Sequence, residues 1–521
     1  MNTFEYNISI ENKCMEKKER SKVAKIVINA WHEKNKIAKE LYGQFSEHIG
    51  RGIYEGIYVG EDSKIKNVRG MRTDVVDALR KINVPVLRWP GGCFADYYHW
   101  KDGIGPKETR KKIVNANWGA TVEDNSFGTH EFMDLCEQIG AEPYICGNVG
   151  SGTVQEMSEW VEYLTFDGIS PMAELRAKNG HPKPWKVKYW GVGNENWGCG
   201  GNMKPTQYGE EFRRYRTFCR DYGANKLYCI AGGADVADYQ WTEGVMKTAA
   251  YQGNRRLMDA ISLHYYTQPN TWDHKKRATE FDLSDYYRGF RRARRMDELI
   301  RRHTDIMSQY DPEHEIGLIV DEWGAWYEPE LGTNPMFLYQ QGTMRDALMA
   351  ATTLDIFNHH SDRVVMANLA QMVNVIHSII LTDGPDMVLT PTYFIFDLYK
   401  KHQDAMLLDS WQEEMLIGDQ EGMLADSSHT ASMKDGKLTL TVSNISPFQK
   451  KDVDVYILGY KATQVSARIL QAPMGAHNTF ENKEKVKIQE WNEVRITDQG
   501  LHFQLPETSV VEIILNKEEE K

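Results

Sequence analysis

The chain has 521 residues, and 62 Lys and Arg against 74 Asp and Glu give it a formal net charge of −12. A hydrophobic content of 41% with 26% charged residues is ordinary for a globular protein and too apolar for a disordered one. The acidic balance argues against nucleic acid or an anionic membrane surface as the main partner.

The cysteines and the first residues bear on the cellular compartment. Seven cysteines require no disulfide framework, and none has zinc-site spacing, so no metal is predicted. The first 20 residues are polar and charged, without the apolar core of a signal peptide. The most apolar long stretch, Val364 to Thr382, contains too many polar side chains for a membrane span. We therefore expect a cytoplasmic protein with no membrane partner.

After a charged lead over residues 1–22, Val23–Asn29 is predicted to form a strand, and the chain then alternates β runs with helical patterns. The predicted β runs are Glu40–Phe45, Val86–Pro90, Pro143–Asn148, Val187–Glu195, Leu227–Ala231, Ala260–Tyr266, Gly317–Trp323 and Val364–Met372. The predicted helices are Thr73–Ile82, Gly128–Ile139, Val154–Phe166, Pro205–Tyr222, 238–250, 284–309, 339–359 and 391–402. An α/β fold follows, and the count of eight strands favours a (β/α)8 TIM barrel over an open doubly wound sheet.

Beyond residue 404 the pattern becomes all-β. Short alternating runs separated by turn signals predict an antiparallel, jelly-roll-like sandwich: Lys437–Val442, Val453–Leu458, Val494–Thr497 and Val510–Leu515. We expect the early strand Val23–Asn29 to pair into it. The predicted division is therefore an N-terminal lead and strand (1–36), a catalytic barrel (37–404) and a β-sandwich (405–521).

Two glutamates lie at the ends of predicted barrel strands. Glu195, in YWGVGNENWG, ends the fourth β run, and Glu322, in VDEWGAWY, ends the seventh. Catalytic groups of such barrels occupy the C-terminal ends of the strands. A retaining glycosidase needs two carboxyl groups roughly 5 Å apart, one as acid/base and one as nucleophile. Each glutamate alone is equally compatible with a surface or salt-bridged carboxylate, so the prediction depends on the pair.

Several longer motifs carry a resemblance over nearly the whole chain. They are YGQFSEHIGRGIYEGIY (42–58), LRWPGGCFADYYHWKDGIGP (87–106), FGTHEFMDLCEQIGAEPYICGNVGSGT (127–153), YWGVGNENWG (189–198), ISLHYY (261–266), VDEWGAWY (320–327) and NLAQMVNVI (368–376). In these motifs the chain resembles glycoside hydrolase family 51, chiefly α-L-arabinofuranosidases. The resemblance implies a retaining exo-acting enzyme without a cofactor.

The resemblance also implies residue roles. Glu195 matches the acid/base and Glu322 the nucleophile. The residues matching substrate-binding positions are Asn194 at the sugar 2-hydroxyl, Tyr266 and Arg88 beside the nucleophile, Glu47 and Gln371 at sugar hydroxyls, and Trp100 and Trp326 as aromatic walls. Cys93 also falls in this set, at a position where many relatives carry Asn. A contact between Cys93 and Cys199 is one alternative, and two buried thiols are the other.

Other features have plainer interpretations. His48, His130 and His264 are expected to orient neighbours rather than bind metal, and His264 could contact a catalytic carboxylate. The arginines of Arg288–Arg302 are predicted to form a solvated helix or an oligomer contact rather than a nucleic-acid patch. The glycine-rich GNVGSGT (147–153) lacks a P-loop ending and is predicted to be a tight turn.

The predicted substrates are arabinose-containing oligosaccharides derived from arabinoxylan or arabinan. The resemblance alone suggests a homo-oligomer, in particular a hexamer. Three alternatives remain open: an endo-β-glucanase or β-xylosidase of the same family, a sugar-binding protein without catalysis, and a metal-dependent barrel enzyme using His264.

Overall fold

The computed structural model describes residues 23–517, so the predicted lead over residues 1–22 lies outside the described part. Eight parallel strands close into a barrel, because the last strand pairs with the first at Asn368 and Gly43. Barrel strands 1 to 8 are Gly43–Phe45, Val86–Trp89, Glu142–Gly147, Tyr189–Val192, Tyr228–Asp235, Ala260–Thr267, Gly317–Ala325 and Val364–Leu369. The closed sheet confirms the (β/α)8 prediction over the open alternative.

The helices that surround the barrel begin and end at recognisable signals. Thr153 accepts a hydrogen bond from the third residue of its helix, and left-handed Gly140 ends another. The α-helices are Thr73–Lys81, Thr129–Ile139, Val154–Thr165, Pro171–Lys178, Pro205–Phe218, Tyr239–Ala249, Leu283–Tyr310, Met344–His359 and Pro391–Tyr399. The 3-10 helices are Lys39–Tyr42, Trp100–Gly103, Lys107–Thr109, Pro335–Phe337 and Lys400–His402. Within residues 23–517, no helix has both the length and the apolar character needed to cross a lipid bilayer.

Short two-stranded hairpins lie outside the barrel sheet, and they were not predicted from the sequence. They are Asn67–Val68 with Met71–Arg72, Ile113–Asn115 with Thr121–Glu123, Tyr251–Gln252 with Arg255–Arg256, Ile380–Asp383 with Asp386–Leu389, and Leu416–Asp419 with Gly422–Ala425. The hairpin over residues 113–123 follows barrel strand 2 and carries Trp118 at its tip.

The strand-rich C-terminal domain contains one ten-stranded sheet. In spatial order its strands are Gln489–Glu490, Gln464–Gln471, Ser509–Asn516, Lys437–Asn444, Ser427–Lys434, Met406–Gln412, Ala24–Lys36, Lys451–Leu458, Gly500–Leu505 and Arg495–Thr497. The N-terminal strand therefore joins this domain, antiparallel to one neighbour and parallel to the other, as predicted. Ile28, Val455 and Ile513, from both halves of the sheet, share one apolar cluster, so the two halves enclose a common core.

The basic helix Leu283–Tyr310 joins the barrel to this domain. Arg288 and Arg291 form ion pairs with Glu421 and with Asp419, which belong to the hairpin over residues 416–425. Arg294 donates to backbone carbonyls of the same region. These arginines make an intramolecular contact, so neither predicted role, a solvated face or an oligomer contact, describes them. Arg301, by contrast, is exposed and pairs within its own helix.

Candidate active site

Glu322 lies in barrel strand 7 between two hydrogen-bond donors. Arg88, from barrel strand 2, places Nη1 2.8 Å from Oε1 of Glu322. Tyr266, from barrel strand 6, donates its hydroxyl to Oε2 at 2.7 Å. Glu322 is only 5% exposed, so a cation and a hydroxyl replace most of its water. The two donors hold the carboxylate in one orientation and stabilise its negative charge.

Glu195 faces Glu322 from the turn after barrel strand 4. Its backbone has a positive φ of 42°, an uncommon conformation for a residue with a side chain and one often found at functional sites. One carboxylate oxygen of each glutamate and one ring nitrogen of His264 lie within 4.8 Å of one another. Burial, together with the charge of Glu322, raises the pKa of Glu195, against the opposing hydrogen bond from His264.

His264 connects Glu195 to a second buried carboxylate. Its Nδ1 lies 2.8 Å from Oε1 of Glu195, and its Nε2 lies 3.1 Å from Oδ1 of Asp321. Burial alone would raise the pKa of Asp321, but the charge of Arg88 and the bond to His264 lower it to about 2. His264 thus contacts Glu195, the carboxylate predicted to act as the acid/base.

The floor of the site is built around Glu47, which follows barrel strand 1 and is 2% exposed. Its Oε1 accepts the backbone N–H of Phe94 at 3.0 Å and the indole N–H of Trp118 at 2.9 Å. Its Oε2 accepts from the amide of Gln371 at 3.0 Å. Burial and the nearby charge of Glu322 raise the pKa of Glu47 to about 7, although these three donors offset part of the effect.

Two buried amide atoms in this site have no hydrogen-bond partner. They are Nδ2 of Asn194, whose Oδ1 is held by Arg88 at 2.5 Å, and Oε1 of Gln371. Buried polar atoms are nearly always paired, so each unpaired one calls for an explanation. A donor and an acceptor beside two carboxylates suit a ligand rich in hydroxyl groups.

Aromatic side chains form one wall. The ring of Trp326 meets Tyr266 edge-on at 5.0 Å between centroids and meets Trp272 at the same distance. The prediction that Trp100 lines the pocket is wrong. Trp100 is 1% exposed, stacks on Trp160 and donates its indole N–H to a helix carbonyl, so it belongs to the core.

Cys93 and Cys199 form a disulfide at the mouth of the site, so the alternative of two free thiols is wrong. The sulfur of Cys199 lies 3.4 Å from Oε2 of Glu195, and that of Cys93 lies 3.8 Å from the same atom. A disulfide has no S–H to donate. Cys93 therefore offers a sugar an apolar surface and cannot replace the amide of an Asn.

Sequence reasoning missed Trp118 and Asp96. Asp96 is buried and accepts the backbone N–H groups of Val149, Gly150 and Asn194, which fixes the turns after barrel strands 3 and 4. The loop over 147–153 is thus a tight turn, as predicted, and the N–H groups of residues 149–152 within it are already hydrogen-bonded. The position of Asp96 in the motif GGCFADYY was the available signal, whereas nothing near Trp118 indicated its role.

The two other motif histidines orient neighbours, as predicted. His48 contacts Glu123 at 3.0 Å and lies 3.1 Å from the indole nitrogen of Trp89. His130 lies 2.6 Å from the hydroxyl of Tyr163.

Comparison with known proteins agrees with this geometry. Residues 78–285 match the α-L-arabinofuranosidase 1 domain, and residues 321–509 match the α-L-arabinofuranosidase C-terminal domain. An intracellular exo-α-L-arabinofuranosidase of Bacteroides ovatus is 48% identical over 95% of this chain and 96% of its own length.

Solved structures are similar over the same extent. The GH51 arabinofuranosidase of Xanthomonas axonopodis pv. citri has 42% identity and a TM-score of 0.93, covering 95% of this chain and 100% of its own. An α-L-arabinofuranosidase of Thermotoga maritima, solved with arabinose, has 30% identity and a TM-score of 0.80, covering 94% and 99%. By sequence, fold and extent of coverage, the chain belongs to the α-L-arabinofuranosidases of glycoside hydrolase family 51.

Proposed function

We propose that the protein is a retaining, exo-acting α-L-arabinofuranosidase that releases terminal arabinofuranose from arabinoxylan- or arabinan-derived oligosaccharides. The observation that carries this proposal is the pair Glu195 and Glu322, with one oxygen of each within 4.8 Å. Retaining enzymes hold their two carboxyl groups about 5 Å apart, whereas inverting enzymes need room for a water molecule between them.

In the first step, Glu322 attacks the anomeric carbon while Glu195 donates its proton to the leaving glycosidic oxygen. The C–O bond to the leaving group breaks, and an ester between arabinose and Glu322 forms. Burial and the charge of Glu322 raise the pKa of Glu195, which favours the protonated form that a general acid needs. Arg88 and Tyr266 hold Glu322 in line for the attack.

In the second step, the same residue acts as a base. Esterification removes the negative charge of Glu322, so the pKa of Glu195 falls once its carboxylate neighbour is neutral. Glu195 then takes a proton from water, which attacks the anomeric carbon and releases Glu322. Two displacements at one carbon return the original anomeric configuration.

The pocket floor supports a small terminal sugar. Glu47, Asn194 and Gln371 together offer carboxylate oxygens, an amide donor and an amide acceptor. A furanose has few hydroxyl groups, so these three side chains suffice to bind most of them. Trp118, which donates to Glu47, belongs to the same floor in place of Trp100.

The proposal extends to cellular context. The name of the Bacteroides ovatus relative, an intracellular exo-enzyme, supports a cytoplasmic location and oligosaccharide substrates for this chain. Resemblance to the family supports a homo-oligomer, with a hexamer as the expected form. The net charge of −12 supports a protein without nucleic-acid or membrane partners.

A panel of nitrophenyl glycosides tests the sugar. We expect rapid hydrolysis of the α-L-arabinofuranoside and at least 100-fold slower hydrolysis of the β-D-xylopyranoside and β-cellobioside, a separation of about 2.7 kcal/mol. Proton NMR of the first sugar formed should show the α-anomer. A preference for either β-glycoside favours the xylosidase or glucanase alternative. No hydrolysis of any substrate favours a binding protein, and inhibition by a chelator favours metal dependence.

A further inference from the structure

The outer face of the C-terminal sheet carries a row of two aromatic side chains with a valine between them, outside the barrel that holds the proposed catalytic residues. Val27 lies directly opposite Trp411 on one side and Tyr456 on the other. Directly paired residues on neighbouring strands point to the same face. The alternate residues Ile26 and Ile28 are buried in the domain core, so this row points outward. We call it the aromatic row.

The row is accessible and ends in a cavity. Trp411 is 58% exposed, and Tyr456 is half-buried. Gly500 pairs with Tyr456 and has a φ of 152°, and a Cβ there would lie 2.1 Å from a backbone oxygen. Beside the ring of Tyr456 lies a cavity of about 330 Å³, whose polar lining includes Asp454, Thr497, Asp498 and Gln499.

Polar groups flank the aromatic row on both sides. On one side Asp454 lies opposite Lys25 and His502, with its Oδ1 2.8 Å from Nδ1 of His502. On the other side Asn29 lies opposite Asp409. Asp409 in turn contacts His32 and Lys34, so acidic and basic groups occur together on both sides and the face has no single charge. An apolar strip between mixed polar rows suits a neutral, hydroxyl-rich ligand better than a membrane or a nucleic acid.

The spacing of the two rings suggests a chain of sugars. Trp411 and Tyr456 lie two strand spacings apart, roughly 10 Å, which matches a disaccharide in an extended glycan. A pyranose ring presents a flat C–H face to an aromatic ring and hydroxyl groups at its edge. Two rings at that spacing contact alternate sugars, and the edge hydroxyls reach the flanking polar rows.

We propose that the aromatic row and its cavity bind an extended chain of β-linked pyranose units, such as the backbone of xylan. The site is separate from catalysis and holds the backbone of the oligosaccharide close to the enzyme while arabinose side groups are removed. This inference rests on the proposed function only for the identity of the glycan. A puckered furanose chain fits the flat rings less well.

Xylohexaose is a suitable probe because it carries no arabinofuranose. In calorimetric titration of the full chain, we expect saturable binding that weakens at least tenfold in Trp411→Ala and in Tyr456→Ala. The matched control is Phe448→Ala, which removes a 70% exposed aromatic ring of the same domain outside the row. It should bind as the wild type does. All three variants should hydrolyse nitrophenyl α-L-arabinofuranoside at the wild-type rate.

Three outcomes contradict the site: no xylohexaose binding by the wild type, binding that neither row variant weakens, and an oligomer that dissociates in Trp411→Ala. The last would mean that a second copy of the chain covers the face. The readouts separate this inference from the proposed function. Loss of binding in the row variants supports the site even if the arabinofuranoside is not hydrolysed, and hydrolysis without binding supports the enzyme alone.

Discussion

Two buried carboxylates have similarly raised pKa values and different neighbours. Glu47 lies in the pocket floor, and Asp355 lies at the contact between the barrel and the sheet domain. Burial raises the pKa of each to about 7. Asp355 lies in the helix Met344–His359 and accepts hydrogen bonds from Ser428 and Thr430, both at 2.6 Å. A raised pKa alone therefore does not distinguish a functional site from a structural one.

The difference lies in the polar atoms around them. Beside Asp355, the amide of Asn358 is used on both sides, donating to Thr430 and accepting from Tyr42. Beside Glu47, the amide of Gln371 is used on one side only. A fully paired polar cluster stabilises the contact between two domains, whereas an incompletely paired one is completed by a ligand. The incomplete cluster is the one that lies beside Glu195 and Glu322, the proposed catalytic pair.

Among the variants that sharpen this comparison, the largest effect is expected at Glu195. Glu195→Gln should lower kcat/KM for phenyl α-L-arabinofuranoside by about 10³-fold, because general acid catalysis contributes about 10² to 10⁴. The loss should be much smaller for a dinitrophenyl leaving group, which needs little protonation. Activity of the wild type should fall as pH rises through the raised pKa of Glu195, and this alkaline limb should vanish in the variant. An equal loss for both leaving groups would contradict its role as the acid.

Replacing Glu47 or Asp355 by alanine should distinguish a role in activity from a role in stability. Glu47→Ala should lower kcat/KM by about 10²-fold or more, since a buried charged acceptor is worth roughly 3 kcal/mol. Asp355→Ala should instead lower the free energy of unfolding by about 1–3 kcal/mol, because the hydroxyls of Ser428 and Thr430 lose their acceptor. Urea unfolding and steady-state kinetics of both variants measure this. A stability loss in Glu47→Ala equal to that in Asp355→Ala would remove the distinction.

Trp118 and Trp100 provide a matched pair of indoles. Trp118→Phe removes one donor to Glu47 and should raise KM for the arabinofuranoside about tenfold, the effect of roughly 1.4 kcal/mol. Trp100→Phe removes a buried donor to a helix carbonyl and should lower the melting temperature without changing KM. Similar kinetic losses in both variants would contradict the placement of Trp100 in the core.

A separate effect concerns the pH dependence of stability. A carboxyl pKa raised from 3.8 to about 7 means that the folded chain binds more protons than the unfolded chain between these values. The free energy of unfolding therefore falls as pH rises through this window. Asp355→Asn should remove its share of that decline, which urea unfolding at pH 4.5 and pH 7 would reveal. If the free energy of unfolding of Asp355→Asn falls with pH as much as that of the wild type, the raised pKa belongs to another group.

Much of the fold could be predicted from the sequence, because its pattern of strands and helices repeats along the chain. Eight β runs alternating with helices predicted the barrel, and the two-residue period of Val453–Leu458 predicted an outward and an inward face. The positions of Glu195 and Glu322, the proposed catalytic pair, followed from the barrel, because the end of a barrel strand is a defined position. The early strand was predicted to reach the C-terminal sheet, which its pairing confirms.

The features that were not predicted depend on contacts between residues far apart in the chain, which local sequence patterns do not indicate. Trp118 reaches Glu47 from a hairpin with three-residue strands, too short to show a period. The partners of Arg288 and Arg291 lie about 130 residues further along the chain. The disulfide joins cysteines 106 residues apart, and the reducing compartment expected from the sequence argued against such a bond. Trp100 and Trp118 are similar by residue type, and only the three-dimensional packing distinguishes them.

The central claim is that Glu322 is the nucleophile and forms a covalent ester with arabinose. The most direct measurement is hydrolysis of nitrophenyl α-L-arabinofuranoside by Glu322→Ala with and without azide. The account predicts activity at least 10⁴-fold below the wild type, as loss of a catalytic nucleophile typically costs, and rescue by azide with β-L-arabinofuranosyl azide as the product. A variant that retains wild-type activity, or an azide product of the α-configuration, would contradict it.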